Sequence, residues 1–299
     1  LEANGGRFLI DCGLYQERDL STRNWVPFPI PLQSVNAIFL THGHLDHCGL
    51  FPKLVREGFA GNIYCSPATM EIAKVVILDS AKIQEEDAAF KRKRHEKEGK
   101  KGKFPEIPLY TIKEAEACLP RFSAVKTGQD FEIHNGVAVT FHEAGHILGS
   151  TSVEIRVTQG MEERILIFSG DIGRWDAPII RDPMLFTDAD YIVMESTYGD
   201  KDHGPQDAVA RELADIINST RRAGGNLVIP VFAVERTQEL LYHLSSLLAE
   251  DLIPNLAVFV DSPMAAKVTD VFNHHSELFD DETRLLIKDG IKPCDFPGL

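Results

Sequence analysis

The sequence predicts an α/β protein in two parts, and two observations carry that expectation. Up to about residue 199, short segments rich in β-branched and apolar residues follow one another, with one long helical stretch among them. After Gly199 the pattern becomes helix, strand, helix, strand, helix, which reads as βαβ units on a parallel sheet. The 299 residues suit two domains at about 150 residues each, and the change of pattern divides them into 1–199 and 200–299. With 43% hydrophobic and 25% charged residues, collagen, coiled coil and wholesale disorder are excluded. A chain of this length can bury a core without disulfide staples.

Residues 7–12, 35–41 and 62–66 are the first expected strands. In 137–142 the alternation is explicit: Val137, Val139 and Phe141 fall on one face, Ala138, Thr140 and His142 on the other. Residues 151–157, 164–169 and 191–195 continue the series. Pro67, well suited to a first helical position, opens a helix expected to reach about Glu98. Met70, Ala73, Ile77 and Ala81 keep helical spacing along it, and Gly99 and Gly102 end it. The second part is expected as helix 206–222, strand 226–231, helix 237–248, strand 256–260 and helix 263–275, with Gly224-Gly225 turning into its first strand. The last segment, I-K-P-C-D-F-P-G-L, does not return to the first part, which suggests a truncated C-terminus. Leu1 as first residue likewise suggests a native N-terminus cut away.

The formal charge is −14 and the pI about 5.2. Taken alone, that weighs against nucleic acid, because affinity for phosphates comes largely from Lys and Arg. One stretch departs from the average. Residues 91–103 hold eight basic side chains against two glutamates, headed by Lys91, Arg92, Lys93 and Arg94. Such a run is a solvated helix end or a patch that tracks phosphates. Five scattered cysteines without a C-x-x-C suit reduced thiols in a cytoplasm. No apolar run reaches the ~18–20 residues of a membrane helix, and no signal peptide is visible. A cytoplasmic protein that does not engage the membrane is the expectation.

The strongest chemical signal is T-H-G-H-L-D-H at 41–47, directly after an expected strand. Three of the eleven histidines fall within six residues, with a carboxylate among them. Histidines two apart, broken by Gly43, are not the i,i+4 pair of a helical zinc site. They suit a loop folded round ions, with Gly43 allowing close backbone approach. Four nitrogen and oxygen donors are more than one closed tetrahedral site takes from a short loop, so two adjacent metals is the economical reading. Two later segments have the composition to complete it. His146 lies in the Gly-flanked E-A-G-H-I-L-G-S at 143–150, and Asp171 in F-S-G-D-I-G at 168–173.

In this order the motifs resemble the metallo-β-lactamase fold, an αββα sandwich whose hydrolases carry H-x-H-x-D-H, then a lone His, then a metal-bridging Asp. The resemblance implies that His42, His44 and His146 hold one Zn²⁺, that Asp46 and His47 hold a second, and that Asp171 bridges them. Asp11, ending F-L-I-D-C-G, matches the family's first motif, where a carboxylate orients a metal-binding histidine. I-V-M-E-S-T-Y-G at 192–199 resembles the acidic motif opening the β-CASP group, in which a Rossmann-like cap domain is inserted. Residues 227–242 and V-D-S-P-M-A at 260–265 look like that cap's early units, so the cap is expected to be partial. Glu235 stands where many relatives have Gly. The E-S-T-Y-G wording is closer to RNA-processing members than to DNA-repair members.

The resemblance implies a zinc-dependent phosphodiesterase that hydrolyses single-stranded RNA through a metal-bridging hydroxide. Asp46 and Asp171 serve the metals, and Glu195 orients a ligand or moves a proton near the leaving oxygen. A homodimer or an RNA-processing complex is compatible with it. Such proteins continue into late His motifs and a last ligand of the second metal, which nothing after Gly199 supplies. The second site is therefore expected to be weakened. The pair His274-His275 sits in an expected helix and reads as surface; His95, His134, His142, His203 and His243 read as core-edge or solvent residues. Ser262 before Pro263 is first a helix N-cap, with phosphate binding at that helix end as its other reading. No G-x-S-x-G, P-loop or G-x-G-x-x-G competes. A DNA nuclease of the same fold, a small-ester or thioester hydrolase (in which the α/β cap after Gly199 would have no role) and a non-catalytic RNA-binding scaffold subunit are the alternatives.

Overall fold

A strand exists only as one side of a ladder, so the strand-like segments become strands where they find partners. The computed structural model describes residues 1–100, 106–201, 209–288 and 293–297. In it β1 (Glu2–Ala3), β2 (Gly6–Ile10), β3 (Ala37–Phe39), β4 (Asn62–Cys65) and β5 (Phe122–Ala124) form one sheet in that order. β1 is antiparallel to β2, and the remaining pairs are parallel. A second sheet runs β6 (Phe131–His134), β7 (Val137–Glu143), β8 (Thr151–Gln159), β9 (Glu162–Phe168), β10 (Tyr191–Val193). It is antiparallel except that β10 lies parallel to β9.

The alternation along β7 decides how the sheets meet. Val137, Val139 and Phe141 join Val153 and Ile155 of β8 and Phe8, Ala37 and Phe39 of the first sheet in one buried cluster. Phe39 and Phe141 meet edge to face, 6.2 Å between centroids. Burying each large side chain contributes about 1.5–3 kcal/mol, and Phe141→Ala would cost about 3–5 kcal/mol through the cavity it leaves. On the other face of the first sheet, Ile38 and Ile63 are equally buried, with Phe51 of α2 (Phe51–Arg56) packed on Phe122 of β5.

The helix α3 (Pro67–Glu98) starts where Ser66 accepts a hydrogen bond from the Thr69 N–H at 3.2 Å, with Pro67 in its first turn. Ile72, Ala73, Val76, Ile77 and Ala81 bury one stripe of it, and beyond Ala88 no residue of the helix is buried. Gly99, at φ +62°, closes it in the left-handed conformation that glycine adopts without strain. Gly102, Lys101 and Lys103 lie outside the described residues. A capping box between Thr111 and Glu114 opens α4 (Ile112–Cys118), a short helix absent from the expected elements.

The chain divides into two compact units, 1–172 with 183–194, and 173–182 with 195–299. The expected boundary follows residue 199, so the E-S-T-Y-G segment falls on the other side of the structural one. In the second unit α5 (Val209–Arg222) and α6 (Arg236–Ala249) share a core of Ala214, Ile217, Leu241, Leu244 and Leu247 with Ile253 and Phe296. The helix α7 (Pro263–His274) joins α6 through buried Gln238, whose amide donates to Thr269 Oγ1 at 2.9 Å.

The strands expected at 226–231 and 256–260 form no ladder among the described residues. Alternation survives without pairing: Leu256 and Val258 pack on the helical core, while Phe259 is 89% and Val228 85% exposed. The physical reason is that side-chain alternation is local, whereas a ladder needs a second strand. No described helix is long and apolar enough to cross a membrane.

Candidate metal centre

Three loops and one helical turn build the site, all in the first unit. Past the end of β2, Asp11 adopts φ +56°, unusual for a residue with a side chain. Its carboxylate accepts from the Thr41 N–H and Thr41 Oγ1, both at 2.8 Å, and lies 2.7 Å from His47 Nδ1. Thr41 follows β3, so Asp11 ties the ends of two neighbouring parallel strands to the histidine motif. His44 caps the single-turn helix α1 (Leu45–Cys48); the His44 carbonyl accepts from the His47 and Cys48 N–H groups at 3.0 Å. The sequence predicts a loop throughout the motif, and its second half is this turn instead. Two glycines make the folding possible. A Cβ on Gly13 would stand 1.6 Å from the Asp46 carbonyl oxygen, and one on Gly43 would stand 2.6 Å from Ile72 Cγ2.

His146 comes from the β7–β8 connection. Ser150 Oγ accepts from the His146 N–H at 3.0 Å, and the Gly149 carbonyl accepts from Ser66 Oγ at 2.6 Å and Thr69 Oγ1 at 2.7 Å. The start of α3 therefore fixes the loop that carries His146. Asp171 follows β9 through Gly170, at φ +58° against Thr41.

The side chains converge. Ligand atoms of His42, His44, His146 and Asp171 all lie within 4.8 Å of one another. His44 Nδ1 is 3.1 Å from His42 Nε2 and 3.2 Å from His146 Nε2. Asp171 Oδ2 is 3.7 Å from His42 Nε2 and 3.5 Å from His146 Nε2. Its other oxygen, Oδ1, is 3.2 Å from His47 Nε2, itself 3.9 Å from Asp46 Oδ2. One carboxylate thus faces both groups of candidate ligands.

Burial, then the neighbouring imidazoles, lowers the pKa of His42 well below its usual value and that of His44 to about 4. Both rings are neutral at pH 7, with a lone pair to offer, as metal ligation requires. Burial also acts to lower His47, but hydrogen bonds to Asp11 and Asp171 outweigh it and push that ring up to about 10, so an ion taking Nε2 would have to displace a proton from it. For Asp171 burial acts upward, and the hydrogen bond and charge of His47 hold the carboxyl below its usual range. Three imidazoles and a carboxylate suit a divalent ion of intermediate hardness, and no thiolate joins them. The donor set fits a metal.

Other residues singled out from the sequence lie elsewhere. Glu195 belongs to the second unit, where its carboxylate accepts from the Thr197 N–H at 3.3 Å. Ser262 caps α7, accepting from the Ala265 N–H at 3.1 Å. Lys91, Arg92, Lys93 and Arg94 are exposed on the last turns of α3, and Arg92 donates to the Glu106 carbonyl at 2.6 Å. His142 pairs with Glu154 at 2.9 Å, and His134 lies 3.2 Å from the Asn4 carbonyl. His95 pairs with Glu106. His203 is outside the described residues. His274 is exposed as expected, but His275 is not: it ends α7, is 9% exposed and pairs with Glu277. Sequence reasoning missed Thr41 and Ser150, whose roles depend on contacts with Asp11 and the His146 backbone.

Comparison with known proteins identifies the family. The family model described as the Metallo-beta-lactamase superfamily matches residues 1–197, and that of the Beta-Casp domain matches 237–299. Ribonuclease TTHA0252 of Thermus thermophilus is 34% identical over 299 residues, 100% of this chain and 63% of that protein. Transcription termination factor FttA of Methanosarcina mazei is 31% identical over 288 residues, 94% of this chain and 42% of that protein. FttA of Methanocaldococcus jannaschii is 29% identical over 283 residues, 93% and 41% respectively. The chain thus spans between two fifths and just under two thirds of the length of these relatives.

Proposed function

The chain belongs to the metallo-β-lactamase superfamily and carries Beta-Casp sequence, and from that premise we propose that it is a zinc-dependent phosphodiesterase hydrolysing single-stranded RNA. The observation that carries the reading is the division of the Asp171 carboxylate, Oδ2 toward His42 and His146 and Oδ1 toward His47. A carboxylate in that position suits a bridge between two ions. His42, His44 and His146 would hold one zinc, Asp46 and His47 the other, with Asp171 between them. Bound there, the ions supply Lewis acidity, which produces the nucleophile from water near neutral pH and offsets charge on the phosphoryl group.

The protein's own residues do the rest. Asp11 holds the His47 ring by Nδ1 so that Nε2 faces Asp171, and Thr41 in turn fixes Asp11 through two hydrogen bonds. For Glu195, which belongs to the second unit, the resemblance of its motif supports a role in orienting a ligand or carrying a proton. The exposed Lys91, Arg92, Lys93 and Arg94 guide the strand by its phosphates, and Ser262 touches a phosphate at the head of α7. The names of the relatives, a ribonuclease and transcription termination factors, support RNA as the substrate class. Action in the cytoplasm, alone or within an RNA-processing complex, follows from the same reading.

The test is cleavage of a labelled single-stranded RNA beside the DNA of matched sequence, with zinc present. Preferential cutting of RNA is expected. Preferential cutting of DNA would make the protein a DNA nuclease of the same fold. Binding of RNA by a protein that holds no zinc and cuts neither strand would make it a scaffold.

A further inference from the structure

Beside the ligand cluster lies an open cleft of about 1170 Å³. Asp46 and His47 line it on one side, and the 12–29 loop supplies much of the rest. Nothing in the mechanism above uses that loop, yet its two ends are anchored by buried polar groups. Asn24, 7% exposed, clamps the backbone of Tyr15: its Oδ1 accepts from the Tyr15 N–H at 2.9 Å and its Nδ2 donates to the Tyr15 carbonyl at 3.0 Å. Lys53, 3% exposed, donates to the Val26 carbonyl at 2.6 Å and lies 4.2 Å from the Phe28 ring centroid. Burying an amide and an ammonium is costly unless they are satisfied; Asn24 is satisfied within this loop, and Lys53 by the loop together with Glu57 at 3.7 Å.

What the clamp holds in place is an aromatic ring facing solvent. Tyr15 is 41% exposed, lines the cleft with the proposed ligands of the second metal, and carries the Arg23 guanidinium over its ring at 5.5 Å. An exposed tyrosine is ordinary. One whose backbone is fixed by a buried side chain, with a cation stacked on it beside a metal-binding cluster, is a built surface. Its chemistry is that of a stacking platform: every base has a π-face to lay on an aromatic or guanidinium plane. Glu17 also lines the cleft, which opposes capture of phosphate by charge alone. In a protein of net charge −14, stacking is the contribution that does not depend on a positive field.

We propose that Tyr15 and Arg23 form a subsite that receives an unstacked base of the single-stranded substrate beside the scissile phosphodiester. The proposal rests on the nuclease reading and adds a positioning role to it. It also supplies a reason for single strands, since a base paired and stacked within a helix has no free face to present.

The experiment is equilibrium binding of the zinc-loaded protein to a fluorescent single-stranded RNA and to an abasic ribose-phosphate strand of the same length, both with a cleavage-resistant phosphorothioate backbone, beside a cutting assay on the ordinary RNA. Tyr15→Ala is expected to weaken binding of the RNA by about 5- to 150-fold, the range of one stacked base, and to leave the abasic strand unaffected. Tyr15→Phe should restore RNA binding to within about twofold of the parent, because the ring remains. Unchanged zinc content and thermal midpoint would report that the variants are folded. Equal losses on both strands, or none on either, would overturn the subsite. The two readings separate cleanly: RNA that is cut without a Tyr15 effect removes the subsite alone. RNA that is bound through Tyr15 but never cut removes the nuclease reading, and with it the subsite's place beside a scissile bond, while leaving Tyr15 a base-binding residue. A parent that binds neither strand removes both.

Discussion

The Asp11 carboxylate lies 2.7 Å from His47 Nδ1, and Asp11 itself sits at φ +56°. A left-handed backbone at a residue with a side chain is strained, and here it aims a carboxylate at one proposed zinc ligand while two bonds to Thr41 steady it. Asp11→Asn keeps the shape and removes the charge. Removing an orienting partner of this kind typically costs about 10- to 100-fold in metal affinity or activity. Competition with a chelator is expected to show that loss in zinc affinity, and an unchanged affinity would reduce Asp11 to a strand-end residue.

Gly43 stands so close to α3 that an added Cβ would be 2.6 Å from Ile72 Cγ2 and 3.2 Å from the Ala73 nitrogen. Since Ile72 and Ala73 are fully buried, neither can yield freely. Gly43→Ala is expected to destabilise the protein by about 1–3 kcal/mol and to lower zinc content, because the displaced backbone carries His42 and His44. Gly99→Ala is the contrast. Nothing lies within 4 Å of that Cβ, so it should cost only about 1–2 kcal/mol of left-handed strain and leave zinc in place. Urea denaturation and metal analysis of both variants check this.

Reversing Lys91, Arg92, Lys93 and Arg94 to Glu tests the exposed end of α3. Weaker RNA binding and a shallower dependence of log affinity on log salt are expected, by about 0.7 for each phosphate no longer neutralised. An affinity and slope equal to the parent's would make the run a solvated helix end, with Arg92 merely holding the Glu106 carbonyl.

The five cysteines are free. Burial raises the pKa of Cys12, Cys118 and Cys294 to about 12, and lifts Cys48 and Cys65 as well. A raised pKa means less thiolate at a given pH, and thiolate is the reactive form. At pH 8 iodoacetamide is therefore expected to leave the buried Cys48, Cys65, Cys118 and Cys294 of the folded protein essentially unlabelled and to modify all five positions in denaturant; Cys12, half-buried at the cleft, is the one position of partial access. Rapid labelling of any of the four buried thiols in the folded protein would contradict the burial described.

What could be read in advance followed the range of each signal. H-x-H-x-D-H was legible because donor types and spacing are local, and the buried face of Val137, Val139 and Phe141 was legible because alternation is local. The β5 strand was not: Phe122–Ala124 is three residues that become a strand by pairing in parallel with Asn62–Cys65, on the far side of α3 and α4 in the chain. At 226–231 the same rule worked in reverse, with strand-like residues and no ladder among the described residues. The division of Asp171 between two ligand groups, and the Asn24 clamp on Tyr15, are relations across folded loops that no spacing announces.

The most direct measurement is the rate at which a labelled single-stranded RNA is cut by the parent protein and by Asp171→Ala, each with zinc and with a chelator in excess. The account predicts cutting by the zinc-loaded parent, abolition by the chelator, and a loss of at least about 10²-fold in the variant, which lacks the carboxylate facing both ligand groups. Cutting by Asp171→Ala at the parent's rate, or cutting that survives the chelator, would contradict it.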